Sequence, residues 1–432
     1  MIPDPGVSPI EFFSAYSYYY PLFMSYLWMI GAVFYYFRRE RPPRSYRDQY
    51  RADPDCGPEI PPVLAEYPLV TMIVPCHNEG REIEDTVDYL LASTYPDFDI
   101  VLVNDGSTDE TPQILDRIAA QHAKVRVIHL ARNQGKAMAL TTASLMTPAQ
   151  YLCCIDADAL LDPQALSWMM VHFQNSRVGA VTGNPRVRNR STLLGRLQVG
   201  EFSSIVGLIK RAQRTYGRIF TVSGVVACFR KAALHDVGYW STDMLTEDID
   251  ISWKLQIRFW DVRFEPKAQC WILAPETLRG LWQQRLRWAT GGIQVLMKNW
   301  RIEHAWMVRR MWPVLLEYVM SVIWAYAMFT IALLWLVGFF VELPLDYRVE
   351  SFLSGWNGVM VGTTCLLQVA TSLALDSRYD NGSVRIFFWM IWYPLAYWMF
   401  NMVTTIVSVP RALLRNTKKR ALWTSPDRGI KS

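Results

Sequence analysis

Two carboxylates one residue apart, Asp156-Ala-Asp158, follow the apolar run Tyr151 to Ile155. At the end of a strand alternate side chains face the same way, so both could approach one cation. Oxygen ligands of this kind suit a hard divalent metal, Mg2+ or Mn2+, with positions left open for diphosphate oxygens. The same pair can equally start a helix from a turn, and the spacing alone does not separate the two readings. Further along, Thr246-Glu-Asp-Ile-Asp250 sets acidic groups at a helix start. Transfer to a hydroxyl needs a base, because an alcohol is unreactive at neutral pH. Asp248, with Glu247 beside it, is the expected base, while Asp250 falls off that helix face. An N-cap with an acidic first turn is the plainer alternative. Gln284-Arg-Leu-Arg-Trp288 then offers Arg287 as a phosphate clamp and Trp288 as a stacking surface for a sugar ring. Before a membrane helix, the same residues also serve as interfacial anchors.

Three upstream clusters fit a nucleotide. In Val103-Asn-Asp-Gly-Ser107, Asp105 is placed to accept hydrogen bonds from a base or ribose, although turn and cap chemistry favours the same residues. Asn133-Gln-Gly-Lys136 puts Lys136 at a helix start, where ammonium and backbone N–H groups can meet phosphate. Pro75-Cys-His-Asn-Glu79 follows the first strand-like run.

The elements that must hold these groups alternate. Leu69 to Val74, Ile100 to Val103, Val125 to Leu130, Tyr151 to Ile155 and Ala180 to Thr182 read as strands. Glu82 to Ala92, Thr111 to His122, Lys136 to Leu145 and Pro163 to Gln174 read as helices. This alternation predicts a mostly parallel sheet with helices on both faces, whose ligands bind beyond the carboxyl ends of the strands. Leu193 to Ile219 mixes apolar and basic positions at helical spacing, which suits either a helix on the membrane surface or a covering helix of the domain.

The chain has 432 residues, 51% hydrophobic and only 19% charged, too apolar for an ordinary soluble enzyme. Phe12 to Phe37 carries no charge and is followed by Arg38, Arg39, Arg41 and Arg44, which predicts a transmembrane helix with a cytoplasmic domain after it. Tyr318 to Val341, Phe352 to Leu375 and Ile386 to Pro410 are further apolar runs. Three full crossings put the C-terminus outside, whereas Arg411, Arg415, Lys418, Lys419 and Arg420 argue for the inside, so one run is expected to be re-entrant or interfacial, with Pro394 marking the last. The expected division is residues 1–62, anchor and linker; 63–300, cytoplasmic catalytic domain; and 301–432, membrane region and basic tail. The seven cysteines lack zinc or disulfide spacing and are expected to be reduced packing residues. No long basic tract favours nucleic acid.

Taken in order, these signatures resemble the processive family 2 glycosyltransferases, the family of cellulose, chitin and hyaluronan synthases. Gly183-Asn-Pro-Arg-Val-Arg-Asn-Arg-Ser-Thr192, Gln198-Val-Gly-Glu201, Thr221-Val-Ser-Gly224 and Trp423-Thr-Ser-Pro-Asp-Arg-Gly429 are similar to its bacterial branch that makes β-1,6-linked poly-N-acetylglucosamine, a biofilm exopolysaccharide. The resemblance implies a GT-A nucleotide-sugar transferase domain embedded in a polytopic α-helical protein of the inner membrane, using UDP-N-acetylglucosamine and inverting the anomeric centre. It implies that Pro75, Glu79, Asp105, Lys136, Asp156 and Arg287 bind the nucleotide sugar and that Asp156 and Asp158 engage the metal. It implies Asp248 with Glu247 as catalytic groups, and Ser223, Gly224, Gln284 and Trp288 along the acceptor and channel. Export of the growing polysaccharide through the bilayer, and a small membrane partner subunit with cyclic di-GMP regulation, are also implied. A β-1,4 synthase of chitin or hyaluronan type, a catalytically idle scaffold, and a single-transfer enzyme acting on a lipid phosphate remain the alternatives.

Overall fold

The computed structural model describes residues 9–43, 45, 47, 59–300, 306–349, 355–380, 382–415 and 420–422. Strands β1 (Val70–Cys76), β2 (Phe98–Asp105), β3 (Val125–Leu130) and β4 (Tyr151–Ile155) pair in parallel in the order β3-β2-β1-β4. Every residue of β1 is buried, as expected of a central strand covered on both faces. Between these strands run α2 (Ile83–Leu91), α3 (Thr111–Gln121) and α4 (Lys136–Met146), after the long helix α1 (Pro9–Tyr35).

Beyond β4 the sheet departs from the parallel expectation. It continues through β7 (Val226–Arg230), β6 (Val178–Val187), β8 (Asp261–Ile272) and the short β5 (Leu160–Leu161), eight strands among the described residues. The pairings β4 with β7, β6 with β7 and β5 with β8 are antiparallel, so the sheet is mixed. The run Ala180 to Thr182 is therefore not the next parallel strand, because β7 inserts beside β4 from a segment far along the chain. This antiparallel partner has a direct consequence for the site. Ile155 at the end of β4 pairs with Val226 at the start of β7, so the turn before β7 and the turn after β4 emerge together.

Apolar side chains pack on both faces of the sheet. One core takes Ile83, Val87 and Leu90 of α2, Leu115 of α3 and Leu166 of α5 (Ala165–Val171). The opposite core takes Leu140 of α4, Leu234 of α8 (Lys231–Asp236) and Ile251 and Leu255 of α9 (Glu247–Ile257). The six described cysteines are all buried.

Leu193 to Ile219 forms α6 (Leu193–Phe202), a π-helical segment Ser203–Ile209 and α7 (Lys210–Tyr216). It covers the domain and at the same time packs against α1 and α12 (Gly355–Asp376), as a covering helix does. A buried ionic network fastens it there. Arg211 donates to both carboxylate oxygens of Glu40 at 2.7 and 2.8 Å and to Asp376 at 2.8 Å. Arg186 of β6 donates to the other oxygen of Asp376 at 2.8 Å. These four side chains are at most 3% exposed, and their mutual pairing offsets the cost of burying charge.

Two helical stretches, Arg309–Val337 and Trp356–Asp376, are long and apolar enough to cross a membrane. The first contains α11 (Trp312–Val337), whose Leu316, Ile323 and Leu333 are exposed, as a lipid-facing surface requires. α1 spans 27 residues and exposes Phe12, Phe23 and Ile30, but is not one of the two stretches apolar enough to cross a membrane. The last apolar run does not form one helix. It divides into a 3-10 turn Ser383–Ile386, a short α13 (Phe387–Met390) and α14 (Tyr393–Leu414), which packs along α10 (Leu278–Asn299). Pro394 falls in the first turn of α14, where a missing N–H costs nothing.

Candidate active site

Strand register brings the chemistry-bearing turns to one edge of the sheet. β1 and β2 align Pro75 with Val103 and Cys76 with Asn104, and β1 and β4 align Ile73 with Cys154. The turns after β1, β2 and β4 therefore open at the same carboxyl end, and the backbone N–H of Asp156 donates to Val225 O at 3.1 Å, tying in the turn before β7.

Lys136 joins these turns. Its ammonium lies 2.5 Å from Asp156 Oδ1, 2.9 Å from the Gly224 carbonyl oxygen and 3.4 Å from Glu247 Oε1. Burial alone would lower its pKa, but Asp156 and then Glu247 outweigh that and hold the ammonium charged above its ordinary range. Asp248 begins α9 next to Glu247, and its Oδ1 accepts the Ile249 N–H at 2.9 Å. A β-carbon on Gly224 would stand 3.1 Å from Asp248 Oδ2, so the glycine lets the carboxylate rest against backbone. Burial first, and the neighbouring Glu247 second, push Asp248 up to about 6, against the opposing pull of Lys136, the Ile249 N–H and Arg287. Leu140, Cys154, Ser223, Gly224, Glu247 and Asp248 line a recess of about 10 Å³, room for roughly one water.

The metal-directed pair differs from the strand argument. β4 ends at Ile155, so Asp156 and Asp158 occupy a turn, closed by the Ala159 N–H donating to Asp156 O at 3.1 Å. Asp158 is buried at 8% exposure and Lys136 holds one oxygen of Asp156. Among the described residues no group of three or more His, Cys, Asp or Glu could hold a metal by itself. Two carboxylates nevertheless fit a hard divalent cation that draws its other ligands from water and substrate phosphates.

Asp105 is fully buried, and its two oxygens accept the N–H groups of Gln134 at 2.7 Å and Gly135 at 2.8 Å. It shapes the loop leading into Lys136 from beneath, which the expectation of a direct base or ribose contact did not include. Gly135 has a φ of +90°, so the loop needs glycine there. Pro75 lies within β1, and Glu79 is fully buried with its N–H donating to Thr111 Oγ1 at 2.9 Å. His77, to which the sequence assigned nothing, links the loops: its Nδ1 stands 3.0 Å from Asp105 O and its Nε2 3.1 Å from Asn133 Nδ2. Its place after β1, among ligand-facing turns, was the available signal.

α10 carries the aromatic signature. Arg287 is exposed and close enough to Asp248 to lower its pKa, and Trp288 is half-buried. Gln284 has a buried Oε1 with no hydrogen-bond partner among the described residues. Asp250 faces away, as expected, and binds Lys298 of α10 at 2.7 Å and Ser241 at 2.6 Å. A cavity of about 320 Å³ lies away from these carboxylates, among α1, α11, α12 and α14.

Residues 68–291 match the family described as glycosyltransferase like family 2. The chain belongs to that family. Curated relatives of this glycosyltransferase include the poly-β-1,6-N-acetyl-D-glucosamine synthase of Staphylococcus epidermidis, 36% identical over 95% of this chain and 97% of the relative. The enzyme of the same name from Staphylococcus aureus strain COL is 37% identical over the same shares. Among solved structures, a mannosyltransferase from Pyrobaculum calidifontis in complex with GDP-Man and Mn2+ is similar with a TM-score of 0.56 at 19% identity, covering 90% of this chain and 99% of that one. The catalytic sheet of this family 2 enzyme is thus of the GT-A type, and its two long apolar helices associate it with a membrane.

Proposed function

We propose that the protein polymerises N-acetylglucosamine from UDP-N-acetylglucosamine into a β-1,6-linked chain at the bacterial inner membrane, with residues 63–300 as a cytoplasmic catalytic domain. The observation that carries this reading is Asp248 set against Gly224 while Lys136 bridges Gly224, Asp156 and Glu247. The relatives' names support the choice of polymer.

In this mechanism Asp248 accepts the proton of the acceptor 6-hydroxyl as that oxygen attacks the anomeric carbon of the α-linked donor, inverting it. The bond to the diphosphate breaks and UDP departs with the electron pair. Arg287 and Lys136 offset the charge that gathers on the leaving group. Asp156 and Asp158 would hold a divalent cation, Mg2+ or Mn2+, which when bound would supply further positive charge to offset that of the phosphates. Asp105, Pro75 and Glu79 shape the nucleotide side, and Ser223, Gly224, Gln284 and Trp288 face the acceptor. The buried Oε1 of Gln284, without a hydrogen-bond partner among the described residues, is suited to accept from a sugar hydroxyl.

The growing chain leaves through the cavity of about 320 Å³, whose aromatic and amide lining, including Tyr20, Trp324, Gln368, Tyr397 and Asn401, suits a sugar polymer. Two crossings after the catalytic domain, followed by α14 lying along α10, return the C-terminal segment to the cytoplasmic side. Arg420 donating to Gln134 Oε1 at 2.8 Å and the Ala421 N–H to Thr242 O at 2.9 Å support that placement. A small membrane subunit, with cyclic di-GMP acting at the contact, is the proposed regulatory partner. Membranes containing the protein, given labelled UDP-N-acetylglucosamine, should yield polymer that a β-1,6-specific hexosaminidase degrades. Polymer that resists it and yields to a β-1,4-specific enzyme overturns the linkage.

A further inference from the structure

The motif Gln198-Val-Gly-Glu201 and the second residue of Gln284-Arg-Leu-Arg-Trp288 have no part in the chemistry above, yet they meet. Arg285 is 5% exposed, and its Nη2 lies 2.8 Å from Oε1 of Glu201, itself 3% exposed. The guanidinium carbon of Arg285 stands 4.2 Å from the ring centroid of Trp288, well inside cation–π range. Phe202, next to Glu201, meets the same indole edge-on at 6.4 Å. The second oxygen of Glu201 accepts from the Tyr393 hydroxyl at 3.0 Å, at the start of α14. Glu201 and Tyr393 both line the cavity of about 320 Å³.

We propose that Arg285 and Glu201 are positioning residues that lock the plane of Trp288 and set the register of the acceptor sugar at the mouth of the membrane cavity. This rests on the polymerase reading given above. A planar guanidinium over the indole fixes both ring face and ring tilt, which a lysine ammonium, as a point charge, does not. Glu201 attracts the guanidinium as a buried ion pair at 2.8 Å, without an aligned hydrogen bond, and its other oxygen is held by Tyr393. The indole on the catalytic side is therefore coupled through three packed elements, α10, α6 and α14, to a wall of the cavity. Because the chain must advance one sugar after each transfer, a loosened Trp288 affects retention and realignment of the acceptor. Among the described residues, Lys136, Asp156 and Glu247 on the proposed donor side share none of these contacts.

The test uses full-length protein in nanodiscs, with UDP release measured against UDP-N-acetylglucosamine concentration and product length measured by mass spectrometry. Arg285→Lys keeps the charge but loses the planar stack, and Tyr393→Phe removes one hydrogen bond without changing charge, so both are mild. Glu201→Gln is the severe variant, because it strands a buried cation. UDP binding by each variant confirms that the donor side is folded. We expect donor KM to stay within about twofold while kcat for polymerisation falls on the order of tenfold in Arg285→Lys. Product should shorten in the order wild type, Tyr393→Phe, Arg285→Lys, Glu201→Gln. Wild-type product length and rate in both mild variants overturns the positioning role, as does a fall in rate matched by an equal loss of UDP binding. Wild-type protein that makes no polymer contradicts instead the functional reading on which this rests.

Discussion

The ammonium of Lys136 sits 2.5 Å from Asp156 Oδ1, joining the start of a helix to the turn after a neighbouring strand. The same ammonium reaches Gly224 and Glu247, so one cation gathers turns spread over more than a hundred positions of the chain. A site built this way concentrates carboxylates around one ammonium, and the lysine keeps their mutual repulsion in check.

Replacing Lys136 by Met should therefore act on more than phosphate affinity. Asp156 and Glu247 lose their shared counter-charge, and donor turnover should fall on the order of 10²-fold in kcat/KM. UDP-release kinetics check this, and near wild-type turnover contradicts it.

The pH dependence has a defined sign. In the proposed mechanism Asp248 acts as a base in its ionised form, and its pKa is raised to about 6, so activity should climb through about pH 6 and level off above it. Glu247 is one of the groups raising that value, so Glu247→Gln should move the acidic limb to lower pH. Lys136 acts in the opposite direction, and Lys136→Met should move the limb to higher pH. A limb that stays in place in both variants means that another group is titrating.

The ionic network of Glu40, Arg186, Arg211 and Asp376 joins the end of α1 to the catalytic domain and α12. Asp376→Asn leaves two buried guanidinium groups short of charge and should cost about 3–5 kcal/mol. Thermal unfolding in detergent reads this as a lowered midpoint, while UDP affinity of the folded fraction stays unchanged. An unaltered midpoint shows the network to be dispensable.

Much of this architecture could be read along the chain, and its failures have physical causes. Val125 to Leu130 and Tyr151 to Ile155 were legible to the residue, because their bounds coincide with turns and polar flanks. The insertion of β7 between β4 and β6 was not, since antiparallel pairing with a strand some seventy residues away leaves no local periodicity. β8, with alternating burial over 12 residues, did carry a strand pattern, but its charged outward positions resembled a surface segment. Asp248 and Lys136 were singled out by residue type and position, whereas the burial of Asp105 beneath a loop depends on backbone amides that side-chain types do not report. Glu201 and Arg285 each appeared in a motif, but their pairing arises from helix packing and is visible in three dimensions alone.

The most direct measurement of the central claim is polymer synthesis by Asp248→Asn, alongside its affinity for UDP. The carboxamide keeps the size of the side chain against Gly224 but cannot take the proton, so UDP should bind nearly as in the wild type while synthesis falls by about 10² to 10⁴. Robust polymer formation by this variant would show that the proton leaves by another route and that the carboxylate at the start of α9 is not the base.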